Sequence, residues 1–182
     1  FNRMMNTIRS LTYIDPVTHL ENLSVLESEL KNSAFTAQAP QYVNLMLVSI
    51  DQFSLINETY GYHKGDSLLK SVAKRIQDTL SINGQIYRGK GDEFMLTFPM
   101  TTPFSNVVHC ADELLEALKH PFLIDSRHIS VRFSIGIDRL QIGQKENTTY
   151  FTHVTHAKNT AKSEGGQRVV IYNENDHMKM LE

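Results

Sequence analysis

The sequence predicts an α/β sandwich in which one mixed, largely antiparallel sheet is flanked by helices. Three observations carry that expectation. The run VNLMLVSI at 43–50 is almost continuously apolar, as a central strand covered on both faces requires. Residues 85–88 and 93–98 alternate as two hairpin strands, with Phe94, Leu96 and Phe98 on one face. A strong amphipathic helix lies between, over 66–81, where Leu68, Leu69, Val72, Ala73, Ile76 and Leu80 form one stripe. Strands and helices in this order stack as layers around one core.

Each element follows from local chemistry. Phe1 to Tyr13 has no Gly or Pro and reads as a helix, which IDPVT breaks because Pro16 disfavours a helical Asp15. Asn22 or Ser24 can cap a second helix running to Asn32, with Leu23, Leu26 and Leu30 along one side. SAFTAQAPQY is a loop before the central strand. After it, DQFSLINETYGYHKGD reads as a short helix and a Gly-punctuated turn leading to the helix at 66–81. Ser105 can cap another helix, with Val107, Val108, Ala111, Leu114, Leu115 and Leu118 as its buried side. FLIDSRHISVRFSIGI reads as a second hairpin, in which Val131, Phe133, Ile135 and Ile137 alternate. QIGQKENT is a polar loop. A helix at 148–164 and the strand RVVIY at 168–172 complete the domain, and 174–182 reads as a linker or the start of a next helix.

Bulk properties narrow the function. With 182 residues, 41% hydrophobic and 21% charged, the chain suits one globular domain with short appendages. A net charge of −2 provides no basic field for a nucleic-acid polymer, although a small anion held locally is compatible. The single cysteine, Cys110, excludes an intramolecular disulfide framework and fits a reducing compartment. No apolar run approaches the roughly 18–20 residues of a bilayer span, and the sequence reads without a secretory leader. The start FNRMMNTIRSL lacks an initiator Met, so the chain reads as a soluble, cytoplasmic piece of a longer protein, without membrane contact of its own. A membrane-anchored sensor upstream is compatible with that reading.

Five motifs in order carry a family resemblance: DPVTHLENL at 15–23, SIDQFSLINETYGYHKGD at 49–66, RGKGDEF at 88–94, FSIGI at 133–137 and AKSEGG at 161–166. Together, over residues 10–173, they resemble the GGDEF domain of the diguanylate cyclase family. The resemblance implies a fold like that of nucleotide cyclases and polymerase palms. It also implies a reaction, in active members, that condenses two GTP into cyclic di-GMP on facing domains of a dimer with Mg²⁺. The signature here reads KGDEF.

The departures bear on chemistry. The family's Asp-x-Asp ends the central strand, and its first Asp binds the catalytic metals; here that position is Ser49, while the second Asp, which is not the principal ligand, is kept as Asp51. Mg²⁺ requires hard oxygen ligands, and a two-metal site uses the ions to activate the attacking oxygen and neutralise the leaving one. Asp92, the signature's metal ligand, has therefore lost its partner at 49, and Asp92 with Glu93 form a vestigial catalytic pair with weakened Mg²⁺ binding. Lys90 replaces a Gly that would supply unusual backbone angles and close approach; with Gly89 and Gly91 beside it to keep the turn foldable, its side chain can crowd the nucleotide, swing out to solvent or pair with a phosphate. Gly166 stands where the family has an Arg that contacts phosphates beside a Lys, matched by Lys162; lysine cannot mimic the planar fork. Ser54 for Lys, Tyr62 for His, Leu23 for Arg and Thr155 for Asp are lesser losses.

The guanine-reading pair is intact, because Asn57 and Asp66 match residues that bond the base, and an amide with a carboxylate satisfies guanine's edge. The implied nucleotide set is Asn57, Asp66, Lys162, Phe53 and Gly91. The family's inhibitory product site, Arg-x-x-Asp, is replaced by SING at 81–84.

Plainer roles stand beside these. Asn57 can cap a turn and Asp66 can N-cap the long helix. Lys162 can be a solvated helix-end charge. His153 and His156 lack metal-ligand spacing and read as surface residues, and Cys110 reads as filler on an apolar helix face. The leading expectation is a degenerate, catalytically silent GGDEF domain that regulates, with GTP as its ligand. By the resemblance, residues 1–13 form a signalling helix from an upstream sensor, 14–173 the GGDEF domain, and 174–182 a linker to a fused EAL phosphodiesterase domain. An active, homodimeric cyclase using Asp92, Glu93 and Asp51, and a nucleotide-free relay domain, are the alternatives.

Overall fold

A computed structural model describes residues 2–36, 41–143 and 149–175. In chain order the elements are α1 (Asn2–Tyr13), α2 (Leu23–Thr36), β1 (Gln41–Ile50), α3 (Phe53–Tyr60), α4 (Tyr62–Thr79), β2 (Gln85–Arg88), β3 (Glu93–Phe98), α5 (Phe104–Leu118), β4 (Phe122–Ile124), β5 (Arg127–Ile129), β6 (Phe133–Ile142), α6 (Thr152–Ser163) and β7 (Arg168–Ile171). The main sheet runs β2-β3-β1-β6-β7; all its pairs are antiparallel except β6 with β7. It is therefore mixed and largely antiparallel, as the sequence predicts.

Strand periodicity divides the core into two layers. Met46, Val48 and Ile50 of β1, Phe94, Leu96 and Phe98 of β3, and Phe133, Ile135 and Ile137 of β6 pack against α4 and α5. Leu45, Leu47, Met95, Leu140 and Ile142 point the other way, against Leu26 and Leu30 of α2 and Val154 of α6. This double cover explains the unbroken apolar run of β1, which is buried from Asn44 to Ile50.

Several boundaries differ from the sequence reading. Asp66 does not cap the long helix. Gly61, with φ 88°, turns the chain directly from α3 into α4, so the helix starts at Tyr62 and Asp66 lies inside it. Asn22 does cap α2, accepting from the Ser24 amide at 3.0 Å, but Ser105 does not cap α5, which Pro103 precedes with no side-chain cap. Strand β1 begins two residues early and β6 extends to Ile142, because Gln41 pairs with Ile142 and Tyr42 with Gln141. The stretch 122–137 is not one hairpin. Strands β4 and β5 form a separate two-stranded ribbon, and β6 joins the main sheet beside β1. Helix α6 starts at Thr152 rather than 148. Residues 37–40 and 144–148 of the two expected loops, Phe1, and 176–182 of the expected linker lie outside the described residues. No helix among the described residues is long and apolar enough to cross a membrane.

Candidate functional site

Register alone assembles a polar row at the end of the sheet. Ser49 on β1 is opposite Glu93 of β3 on one side and Ser134 of β6 on the other. Counting by two from Leu45, Leu47 and Met95 places all three on the α6 side of the sheet. The turn between β2 and β3 adds Asp92. It is closed by the Gly89 amide donating to the Glu93 carbonyl at 2.8 Å and the Glu93 amide to the Lys90 carbonyl at 3.2 Å.

The turn also shows how Lys90 is accommodated. The left-handed residue is Gly91, with φ 60°, and Lys90 has no positive φ. The close approach falls on Gly89, where a Cβ would sit 2.9 Å from the Glu93 carbonyl oxygen. Lys90 is exposed, so its bulk is carried outward and the turn folds around it.

At the metal end, the Ser49 hydroxyl is completely buried and donates to Asp92 Oδ2 across a long 3.4 Å. Lys162 Nζ approaches the same oxygen at 3.5 Å, and the Ile50 carbonyl at 3.5 Å. Glu93 is held by Lys158 at 2.9 Å, an ion pair whose side chains are 17% and 8% exposed respectively. Asp51 faces elsewhere: its Oδ1 accepts from the Ser134 hydroxyl at 2.8 Å and its Oδ2 from the Gln167 amide at 3.4 Å. Gly166 closes over that carboxylate, and a Cβ there would lie 2.3 Å from Oδ2. A neutral hydroxyl, two carboxylates each facing a lysine, and a third carboxylate turned toward Ser134 do not fit a two-metal site. No group of three or more His, Cys, Asp or Glu side chains among the described residues is gathered to hold a metal ion.

Sequence reasoning missed Lys158. Its signal was available: Val154, Ala157, Lys158 and Ala161 are the buried positions of α6, a helical stripe with one lysine in it. It also missed the clamp behind the turn. Buried Arg88 reaches Asp15 Oδ2 at 3.3 Å, donates to the Gly91 carbonyl, and receives β-type support from the Glu21 carbonyl, which accepts its amide at 2.7 Å. Burial pushes the Asp15 carboxyl upward, but the Thr18 hydroxyl and amide and the Arg88 charge outweigh it, and the carboxyl is held below its usual range. The motif at 15–23 thus anchors the signature turn.

The nucleotide set divides between two places. Asn57 and Phe53 lie on the α3 face toward α4: a Cβ on buried Gly65 would fall 1.8 Å from Asn57 Oδ1 and 3.4 Å from the Phe53 ring. Asn57 is thereby brought beside the residue preceding Asp66, which is exposed. Lys162 and Gly91 belong to the polar row instead. A cleft of about 590 Å³ runs along another face of α3, lined by Gln52, Leu55, Ile56 and Tyr60 together with Arg132 and Lys162. Asn57, Asp66 and Phe53 are outside it. His153 is exposed and His156 partly so, as the sequence suggests, and both pack on Tyr172, His153 stacked at 4.0 Å and His156 edge-on at 6.0 Å. Cys110 is buried on α5, and burial pushes its thiol up to about 11.

A sheet of this order, with a glycine-cornered acidic hairpin beside the end of its central strand, defines a nucleotide-cyclase-like domain. The family model "Diguanylate cyclase, GGDEF domain" matches residues 12–168, and the chain belongs to that family. Over 124 residues it is 30% identical to the bifunctional diguanylate cyclase/cyclic di-GMP phosphodiesterase MucR of Pseudomonas aeruginosa, covering 68% of this chain and 18% of MucR. Over 180 residues it is 26% identical to the cyclic di-GMP phosphodiesterase PdeR of Escherichia coli, covering 99% of this chain and 27% of PdeR. The chain therefore spans less than a third of either relative. In structure it resembles a GGDEF-only fragment of TpbB (YfiN) from Pseudomonas aeruginosa, with a TM-score of 0.79 and 21% identity, over 93% of this chain and all of that one. The domain is of the kind found in cyclic di-GMP signalling proteins.

Proposed function

We propose that this GGDEF domain is a non-catalytic regulatory module that binds GTP through its base. The carrying observation is Ser49, a neutral hydroxyl at the strand end where the reaction needs a metal-binding carboxylate, with Asp51 engaged by Ser134 and so poorly placed to replace it. Asn57 and Asp66 read the guanine edge, Phe53 packs beside Asn57, and Lys162 and the Gly91 segment face the phosphates. The helix Asn2–Tyr13 delivers input from an upstream sensor domain, and a segment beginning near residue 174 leads to an EAL phosphodiesterase domain. The relatives' names, which include phosphodiesterases several times longer than this chain, support that arrangement. Pairing of two such domains would serve signalling rather than condensation, and the cytoplasm, where GTP is abundant, is the compartment that suits it.

Calorimetric titration with GTP, with and without Mg²⁺, tests the proposal, with ATP and Asp66→Ala as controls. Guanine-selective binding weakened by the substitution and little changed by Mg²⁺ is the expected result. Cyclic di-GMP formation that depends on Asp92 would establish an active cyclase instead. No binding at millimolar GTP would leave a relay domain without a nucleotide.

A further inference from the structure

We propose that Lys158, together with Lys162, is a built-in counter-cation for the signature acid pair, occupying by covalent attachment the electrostatic role a divalent ion would have. Lys158 stands in the buried stripe of α6 and is 6% exposed, where an apolar residue would satisfy the helix better. Gly136 of β6 fixes it there. A Cβ on that glycine would lie 2.4 Å from the Lys158 amide nitrogen, so the helix backbone rests directly on the sheet. From this anchor the ammonium reaches Glu93 at 2.9 Å. Lys162, one helical turn further, reaches Asp92 at 3.5 Å.

The signature acid pair is then matched charge for charge within the chain, Asp51 being held separately by the Ser134 hydroxyl and the Gln167 amide. Asp92 and Glu93 supply two negative charges, Lys158 and Lys162 two positive ones, and Ser49 none. An incoming divalent ion meets carboxylates already paired with lysines: Lys162 on Asp92 is a third exposed and can withdraw, but Lys158 on Glu93 is buried and costly to displace. Ser49 is consequently not the only obstacle to metal binding. An aspartate restored at 49 would still face Glu93 held by Lys158. This inference rests on the non-catalytic reading of the turn, but the two fail separately. Metal binding without turnover refutes only the counter-cation role, and turnover refutes the non-catalytic reading.

The test is Mn²⁺ titration of the 182-residue chain, read as loss of the free-ion electron paramagnetic resonance signal. Wild type, Ser49→Asp and Lys158→Met are compared with the Ser49→Asp/Lys158→Met double variant, and Asp92→Asn is added to wild type and to the double variant as a site control. Only the double variant is expected to gain binding, tighter than Ser49→Asp by about tenfold or more, and to lose it with Asp92→Asn. Binding by wild type that Asp92→Asn removes would overturn the proposal. So would Ser49→Asp binding as tightly as the double variant, or no gain in the double variant. Thermal melts establish that each variant is folded. Lys158→Gln, which keeps a hydrogen-bond donor without the charge, replaces Lys158→Met if the latter does not fold and carries the same expectation.

Discussion

Replacing Lys158 by Met should destabilise the domain even though it makes the α6 stripe uniformly apolar. At the 2.9 Å separation of Lys158 and Glu93, an effective dielectric of about 20 gives a gross attraction of about 6 kcal/mol. Desolvation of both ions offsets much of that, and the net value of the pair is small. Removing one partner is different, because Glu93 then keeps an unpaired carboxylate on a side chain that is only 17% exposed. The low end of the range for a broken buried pair, about 3 kcal/mol, applies because Glu93 retains some water. For a chain of this size that corresponds to a fall of about 6–12 °C in melting temperature. Urea unfolding and thermal melts followed by circular dichroism would measure it. Glu93→Gln placed in the Lys158→Met background should restore most of the loss, since both charges are then gone and the methionine fills the volume. A Lys158→Met variant as stable as wild type, or a double variant no better than the single one, would refute the assignment of the ion pair.

Two other outcomes follow from the same geometry. Gly166→Arg, which reinstates the family's residue, should cost about 1–3 kcal/mol, because φ is 70° there and the new Cβ meets the Asp51 carboxylate at 2.3 Å; a melt shows the loss, and GTP titration should show no recovered affinity. Asp138→Asn should stabilise the domain at neutral pH. Asp138 is 6% exposed, its Oδ2 has no hydrogen-bond partner, and burial raises its carboxyl above 3.8 despite His153 at 3.7 Å and the Arg139 amide. Between 3.8 and that raised value the native state holds more protons than the unfolded one, so wild type loses stability as pH rises through the window. The asparagine variant, with no proton to release, does not. Its advantage in urea titrations should grow as pH rises from 3.8 through the raised carboxyl value and then level off; an advantage independent of pH would refute the reasoning.

How much of this was legible in the sequence depended on whether the information was local. The sheet, the doubly covered β1 and the α4 stripe could be read from periodicity, because burial on one or two faces writes itself into spacing. The ends could not. Whether Gln41 and Tyr42 are strand depends on Ile142 and Gln141, far along the chain. The split of 122–137 into a ribbon and a main-sheet strand is equally a matter of partners, since alternation fixes faces and not neighbours. Asp66 looked like a cap because Asp is a good cap, yet Gly61 made the turn first. At the site, the motifs singled out Ser49, Asp92, Asn57 and Lys162, and the fold brings Ser49, Asp92 and Lys162 together while Asn57 lies on another face. Lys158 lay in no motif, and its partner Glu93 belongs to another element much earlier in the sequence, so only the fold could reveal the pair.

The register also ties Ser49 to Lys158. Across β3, β1 and β6 the row Glu93, Ser49, Ser134 follows the row Met95, Leu47, Gly136, so the sheet passes from apolar to polar within a single pleat. A lysine anchored over Gly136 must cross the strand carrying Ser49 to reach Glu93. A carboxylate at 49 would stand in that path and compete for the ammonium, leaving three acids for two lysines. A hydroxyl leaves the path open and the charge balanced. The serine that removes a metal ligand is therefore also the residue that lets the lysine hold Glu93, and exchanging either one alone leaves the row with an uncompensated charge.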